Sequence, residues 1–189
     1  MPTDRDQAVP PSQLQALLDR SAITDVLLTY AHAADRQDLA LIPSTHHPDA
    51  VDDHGRYRGD LDGLIEFLDR YRGTLRATTH QMGPPLIRLD GDAALVETYC
   101  LYRRELHGTP PGEAVLQGLR YLDRFERRDG RWAVASRRVV LDWEQSTTDL
   151  PAVPSPASWV RGAPGAEDPS VPFFGPALQT PPGADPQAG

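Results

Sequence analysis

Two side chains with complementary acid–base chemistry stand out in this chain. Asp35 comes near the end of SAITDVLLTYAHAADRQD, Ser21 to Asp38, where Ile23, Val26, Leu27, Tyr30 and Ala34 recur at three- and four-residue steps. That spacing makes one apolar stripe on a helix for a sheet to cover. A carboxylate follows directly after Ala33-Ala34, where the stripe ends and small side chains leave room. Acids are favoured at helix N-termini and opposed by the dipole near C-termini, so a merely solvated aspartate is the weaker reading and a partner is expected. His80 supplies one, in RATTHQMGPP at the start of the first long strand. Counting by two, Thr78, His80 and Met82 share a face, and if the apolar set points at the helices, His80 does too. A carboxylate fixes an imidazole's tautomer, raises its basicity and stabilises the imidazolium, which makes the pair a general base. The expected pairing is Asp35 with His80.

The elements that must bring them together are helices first and strands second. Residues 1–11 read as a flexible arm, residues 12–145 as the folded domain and residues 146–189 as a Pro-, Gly- and Ala-rich tail. A helix starts at Ser12. Ser21, ahead of an apolar run with Asp25 behind it, can cap a fresh one, so 12–36 is one kinked helix or two. Asp38 to Ile42 reads as a further short turn ended by Pro43. HHPDAVDDHGRYRG, His46 to Gly59, is too polar for a central strand and reads as an edge strand or hairpin. Asp60 or Asp62 opens a helix packed through Leu64, Ile65, Phe67, Leu68 and Tyr71, and Gly73 stops it. The period then changes to two, with extended strands over Leu75–Leu89, Ala93–Leu106, Ala114–Arg127 and Arg131–Trp143, and hairpin turns at Asp90-Gly91-Asp92 and Arg128-Asp129-Gly130. This order predicts an α+β fold. Both faces of Leu95–Tyr102 are partly apolar, so the face away from the helices suits a subunit interface. In the tail, Trp159 and Phe173-Phe174 are aromatics able to dock on the domain or cap its site.

Composition excludes several function classes. A formal net charge of −8 over 189 residues argues against a nucleic-acid or anionic-membrane surface. No apolar run is long enough to span a bilayer and the start lacks a signal-peptide pattern, so a cytoplasmic location is expected. The lone Cys100 reads as a buried, inert thiol. His46, His47, Asp49, Asp52, Asp53 and His54 have metal-binding chemistry, but ligands usually come from spaced positions on rigid elements, so no metal is expected. Asp52, Asp53 or His54 could instead reach the rim of a pocket. Glycine loops for phosphates or dinucleotides and a GxSxG motif are absent, leaving no support for a hydrolase, kinase or nicotinamide enzyme.

The succession LLDRSAITDVLLTYAHAADRQD, HPDAVDDHGRYRGD, TTHQMG and GLRYLDRFERRDGRWAVASRRVV resembles the SnoaL-like branch of the nuclear-transport-factor-2-like superfamily, from about Leu14 to Trp143. The resemblance implies a cone-shaped, curved antiparallel sheet wrapped against three N-terminal helices, with the active site inside. It puts a catalytic dyad on Asp35 and His80. A tyrosine of the bile-acid dehydratase pattern falls on Tyr30, where the dehydrochlorinase pattern has a lysine, and a last-strand arginine falls on Arg137, or on Arg138 if a bulge shifts the register. Five helical residues turn side chains by about 140°, so Tyr30 and Asp35 would flank a pocket. His54, Met82 and Trp143 are expected to contact substrate. The implied activity is a cofactor-independent dehydratase acting on a small apolar molecule of polycyclic or polyketide-like kind, in a homodimer or homotrimer. An isomerase or polyketide cyclase would use the same pocket, and a non-catalytic binding or assembly module is the rival.

Overall fold

In the computed structural model, which describes residues 10–110, 113–147, 160 and 162–174, helix α1 spans Pro11–Arg36 without a break. Pro11 opens it, at a position where the missing N–H would have no partner. Of the two arrangements left open for 12–36, the chain adopts the single helix, with no fresh start at Ser21. Ile23, Val26, Leu27 and Tyr30 are buried as one continuous stripe against the sheet, at about 1.5–3 kcal/mol per large apolar side chain, and a break would misalign it. Leu14, Leu17 and Leu18 lie more than half exposed at the start of the helix. Buried Asp19 holds this end, accepting from Trp132 Nε1 at 2.9 Å and Arg127 at 2.8 Å. At the other end Gln37 turns left-handed, its N–H reaching Ala33 and Ala34 carbonyls, and ends the helix two residues past Asp35.

A 3-10 turn over Ile42–Thr45 follows, with Pro43 inside its first turn and not ending it. Strand β1 is His46–Asp53 and β2 is Arg58–Gly59; helix α2, Leu61–Arg72, is capped by the Asp60 carboxylate accepting from the Gly63 N–H at 2.9 Å. The strand expected over 75–89 is two, β3 (Leu75–Met82) and β4 (Leu86–Asp90). Gly83-Pro84-Pro85 separates them, since proline has no N–H for a ladder, and both pair with β5, Ala93–Leu106. Strands β6 (Ala114–Arg128) and β7 (Arg131–Thr147) complete the sheet.

Among the described residues the sheet has seven strands in the order β2-β1-β7-β6-β5-β3, with β4 also on β5. The layout is the α+β cone, but the sheet is mixed rather than antiparallel, because β1 runs parallel to β7. The polar stretch 46–53 is therefore a paired strand next to a two-residue edge, with His46, His47 and Asp52 buried. Bulges between β6 and β7 at Gly118/Leu119 and Arg124/Phe125 curve the sheet.

The core has two parts. One joins Ile23, Val26 and Leu27 to Ile87, Val96, Phe125, Trp132 and Val134. The other surrounds Tyr30 with Ile42, Leu64, Cys100, Tyr102 and Tyr121, and burial lifts the Cys100 thiol to about 12, so it stays protonated. In the Pro-, Gly- and Ala-rich C-terminal segment, Ser170–Phe174 form a short helix α3. Asp168 is buried there in an ion pair with Arg36 at 2.7 Å, and Phe174 packs edge-on against His32. Phe173 is 81% exposed and away from the site; Trp159 lies outside the described residues. No helix among these is long and apolar enough to cross a membrane.

Candidate active site

The last turn of α1 and the middle of β3 meet at Asp35 and His80. Asp35 Oδ1 is 2.6 Å from His80 Nδ1 and also accepts from Thr78 Oγ1 at 3.2 Å, while Oδ2 accepts from the His80 backbone N–H at 2.8 Å. Burial pushes this carboxyl up, but the His80 and Thr78 hydrogen bonds outweigh it and hold Asp35 below the usual carboxylate range. An ionised carboxylate only accepts, so the proton of neutral His80 sits on Nδ1 and Nε2 keeps its lone pair. His80 lines a cavity of about 370 Å³ enclosed by α1, α2 and the inner face of the sheet, and Tyr102 packs 4.5 Å from its ring.

A second chain of polar groups reaches the same cavity from β1. Tyr30 Oη is 3.1 Å from His54 Nε2, and His54 Nδ1 makes a short hydrogen bond to Asp52. Tyr30 and His54 both line the cavity. Burial raises the Asp52 carboxyl, and His54 and Arg137 pull it lower still, so it is held below its ordinary value. His46 lies behind, its Nε2 3.9 Å from Asp52, and burial pushes its imidazole down to about 3. Burial also raises the Tyr30 phenol well above its ordinary value.

Arg137 points inward and Arg138 outward, with 3% of Arg137 exposed. A bulge decides this, in the opposite sense to the one expected. Phe125 pairs with Val134 and Arg124 with Ser136, so Ala135 is extra, and the alternation that faces Val134 inward continues at Arg137. The guanidinium is held by Asp123 through two bonds of 2.8 and 2.7 Å, and lies 4.3 Å from the Tyr30 ring and 4.5 Å from the Tyr121 ring. Burial disfavours its charge, and the Asp123 carboxylate more than offsets that, so the cation is retained. Tyr30 and Tyr121 line the cavity; Arg137 does not, so a direct substrate contact is not what its position provides.

Two expected substrate contacts fall elsewhere. Met82 packs between the two halves of the core and is not on the cavity wall. Trp143 follows the bulge at Asp142, which turns it outward opposite Gly118; a Cβ at Gly118 would overlap the indole. Sequence reasoning missed the full Tyr30–His54–Asp52 chain, though Asp52 and His54 are two apart and so share a face of an extended chain. It missed Tyr102 and Arg104 on the cavity wall as well. The histidine-rich cluster is dispersed: His47 donates to the Glu126 carbonyl at 2.9 Å and Asp49 accepts from Arg128 at 2.6 Å. No group of three potential ligands converges among the described residues.

Solved structures with the same fold include hexachlorocyclohexane dehydrochlorinase type 3 from Novosphingobium barchaimii, at 18% identity and a TM-score of 0.68, covering 76% of this chain and 99% of that one. A candidate scytalone dehydratase from Novosphingobium aromaticivorans follows at 16% and 0.64, with 77% and 97% covered. A candidate aromatic ring hydroxylase from the same organism has 23% identity and a TM-score of 0.63, with 69% and 94% covered. At such identities the likeness is one of fold. No curated protein sequence matches the chain. Residues 15–138, which hold Tyr30, Asp35, His54, His80 and Arg137, match the SnoaL-like domain, and the chain belongs to that family.

Proposed function

We propose that this chain is a cofactor-independent lyase, a dehydratase for a small, mostly apolar hydroxylated molecule. The observation that carries the reading is the grip of Asp35 on His80, which leaves an imidazole nitrogen with a free lone pair on the wall of the cavity between the helices and the sheet. His80 Nε2 takes a proton from carbon, the C–H electrons form the new double bond, and the C–O bond breaks as Tyr30 donates its proton to the departing hydroxyl. Asp35 stabilises the imidazolium that forms. With Asp52 paired to its Nδ1, His54 in the imidazolium form carries a second proton on Nε2 and passes it to the Tyr30 oxygen to restore the phenol, while the proton taken by His80 leaves to solvent. Arg137 acts through the Tyr30 ring as a positioning residue. The dehydrochlorinase and dehydratase names among the fold neighbours support an elimination.

The test is a panel of hydroxylated polyketide and steroid-like compounds analysed by mass. Loss of water by the wild type and its absence in a folded His80→Ala variant is the expected result. A product of unchanged mass would replace dehydration by isomerisation or cyclisation at the same base. Equal turnover by His80→Ala would overturn the general-base role, and binding without turnover would leave a ligand-binding module. Assembly through the outer face of the sheet, as a homodimer or homotrimer, belongs to the same reading.

A further inference from the structure

The last-strand arginine is buried and committed to Asp123, which raises the question of which cation the cavity itself offers. Three arginines line it: Arg56, Arg72 and Arg104. Arg56 is exposed, and Arg72 is solvated and paired with Asp69 at 2.7 Å. Arg104 differs from both. Its Nε is buried with no hydrogen-bond partner, its guanidinium lies 5.9 Å from the centre of the Tyr71 ring, and among the described residues no acid is within ion-pairing distance. Tyr102, its neighbour on the same face of β5, has a phenol raised by burial and pulled the other way by the charge of Arg104 and by a hydrogen bond from its guanidinium, so the unpartnered donor is Nε. The cavity's own acid, Glu144, is engaged by Gln117.

A half-buried cation without a counter-ion is costly, and its neighbours here are aromatic. Such a group is an anion receptor, and the planar guanidinium fork matches a carboxylate. Its place in the sheet relates it to the base. Thr78 pairs with Arg104 and His80 with Tyr102, so the two side chains lie two residues apart along the sheet on one face, about 7 Å by strand rise. We propose that Arg104 anchors the carboxylate of an acidic substrate, whose apolar body fills the cavity and whose reacting carbon lies several bonds away beside His80. The carboxylate is then a handle and not the group that activates the C–H bond. The position of the reacting carbon rests on the reading of His80 as base; the anion site does not.

The probes are 2-naphthoate and 2-naphthamide, which share ring and shape and differ in charge, measured by titration calorimetry on the full chain. The wild type should bind the naphthoate roughly 10- to 100-fold more tightly, the range of one charge-assisted contact. Arg104→Gln should erase that preference while naphthamide affinity stays within about twofold, which also reports that the cavity is intact; Arg104→Lys should restore part of it. His80→Gln should keep the preference. Equal binding of the two probes by the wild type, binding of neither, or a preference that survives Arg104→Gln would each overturn the proposal. So would a preference lost in His80→Gln, which would assign the anion to the imidazole. If the preference follows Arg104 while His80→Ala retains turnover, the anion site stands and the lyase reading fails.

Discussion

Asp35 gives both of its carboxylate oxygens to His80, one to the ring Nδ1 at 2.6 Å and the other to the backbone N–H at 2.8 Å. The first bond sets the tautomer; the second pins the end of α1 to a particular residue of β3, so the ring cannot be oriented by one carboxylate position and the strand by another. Asp35→Asn separates these roles. Its carbonyl can still accept from the backbone, but its NH2 group then faces Nδ1, forcing the ring proton onto Nε2, where the base should be. The expected outcome is a folded protein with turnover reduced about 10²- to 10⁴-fold, the usual contribution of general-base catalysis. Steady-state rates on whichever panel compound is turned over measure it, and wild-type rates in Asp35→Asn would remove the orienting role.

Tyr30 and His54 make a second prediction. If Tyr30 protonates the leaving group, Tyr30→Phe removes the proton without emptying the ring's place over Arg137, and should lower the rate at least about 10²-fold with unfolding unchanged to within about 1 kcal/mol. His54→Gln should do less, because solvent can replace the proton more slowly, and should change the shape of the pH–rate profile. An unchanged profile in His54→Gln would mean that Asp52 and His54 only hold Tyr30 in place.

The strand Ala93–Leu106 was legible to the residue because Asp90-Gly91-Asp92 marks the turn before it and no proline or glycine interrupts it. Asp35 and His80 could be paired because each breaks a local rule, an acid at a helix C-terminus and an imidazole on the face expected to pack against helices. The stretch 46–53 was harder to place. His46, His47 and Asp52 are buried on partners supplied by Thr45, the Glu126 carbonyl and His54, and composition says only that such residues prefer water. The inward turn of Arg137 depends on one extra residue, Ala135, that no alternation count can locate. Nothing in the types of Arg103 and Arg104 says which is salt-bridged outside and which faces the cavity; the register of β5 does.

Burial of neutral His46 should make the protein sensitive to mild acid. Its folded value of about 3 lies below the ordinary 6.5, so on acidification the unfolded chain gains this proton first and stability falls as pH drops from about 6.5 toward 3. One proton corresponds to about 2 kcal/mol lost between pH 6.5 and 5. Asp35 and Asp52 have the opposite kind of shift, depressed carboxylates. Their stabilisation is present above the unfolded carboxylate value and disappears only as pH falls through their lower folded values. Urea midpoints at pH 7 and about 5 should therefore differ in the wild type and converge in His46→Gln; an equal drop in both would assign the acid sensitivity to other groups.

The outer face of the sheet sets the final prediction. Leu95, Tyr99 and Leu101 alternate along β5, and Leu122 stands opposite Glu97 on β6; Leu95 and Tyr99 are 62% and 61% exposed. Ion pairs of Arg120 with Glu97 and Asp142 sit among them. Scattered apolar residues on a surface need no explanation, but a contiguous row on one sheet face is a site for association. These side chains lie on the opposite face of β5 from Tyr102, so placing charge there perturbs assembly without entering the cavity. Leu95→Lys combined with Tyr99→Lys should give a light-scattering mass of one chain, against two or three for the wild type, with the circular dichroism spectrum unchanged. A wild-type mass of one chain would sink the assembly, and an unchanged multiple in the double variant would move the interface to another face.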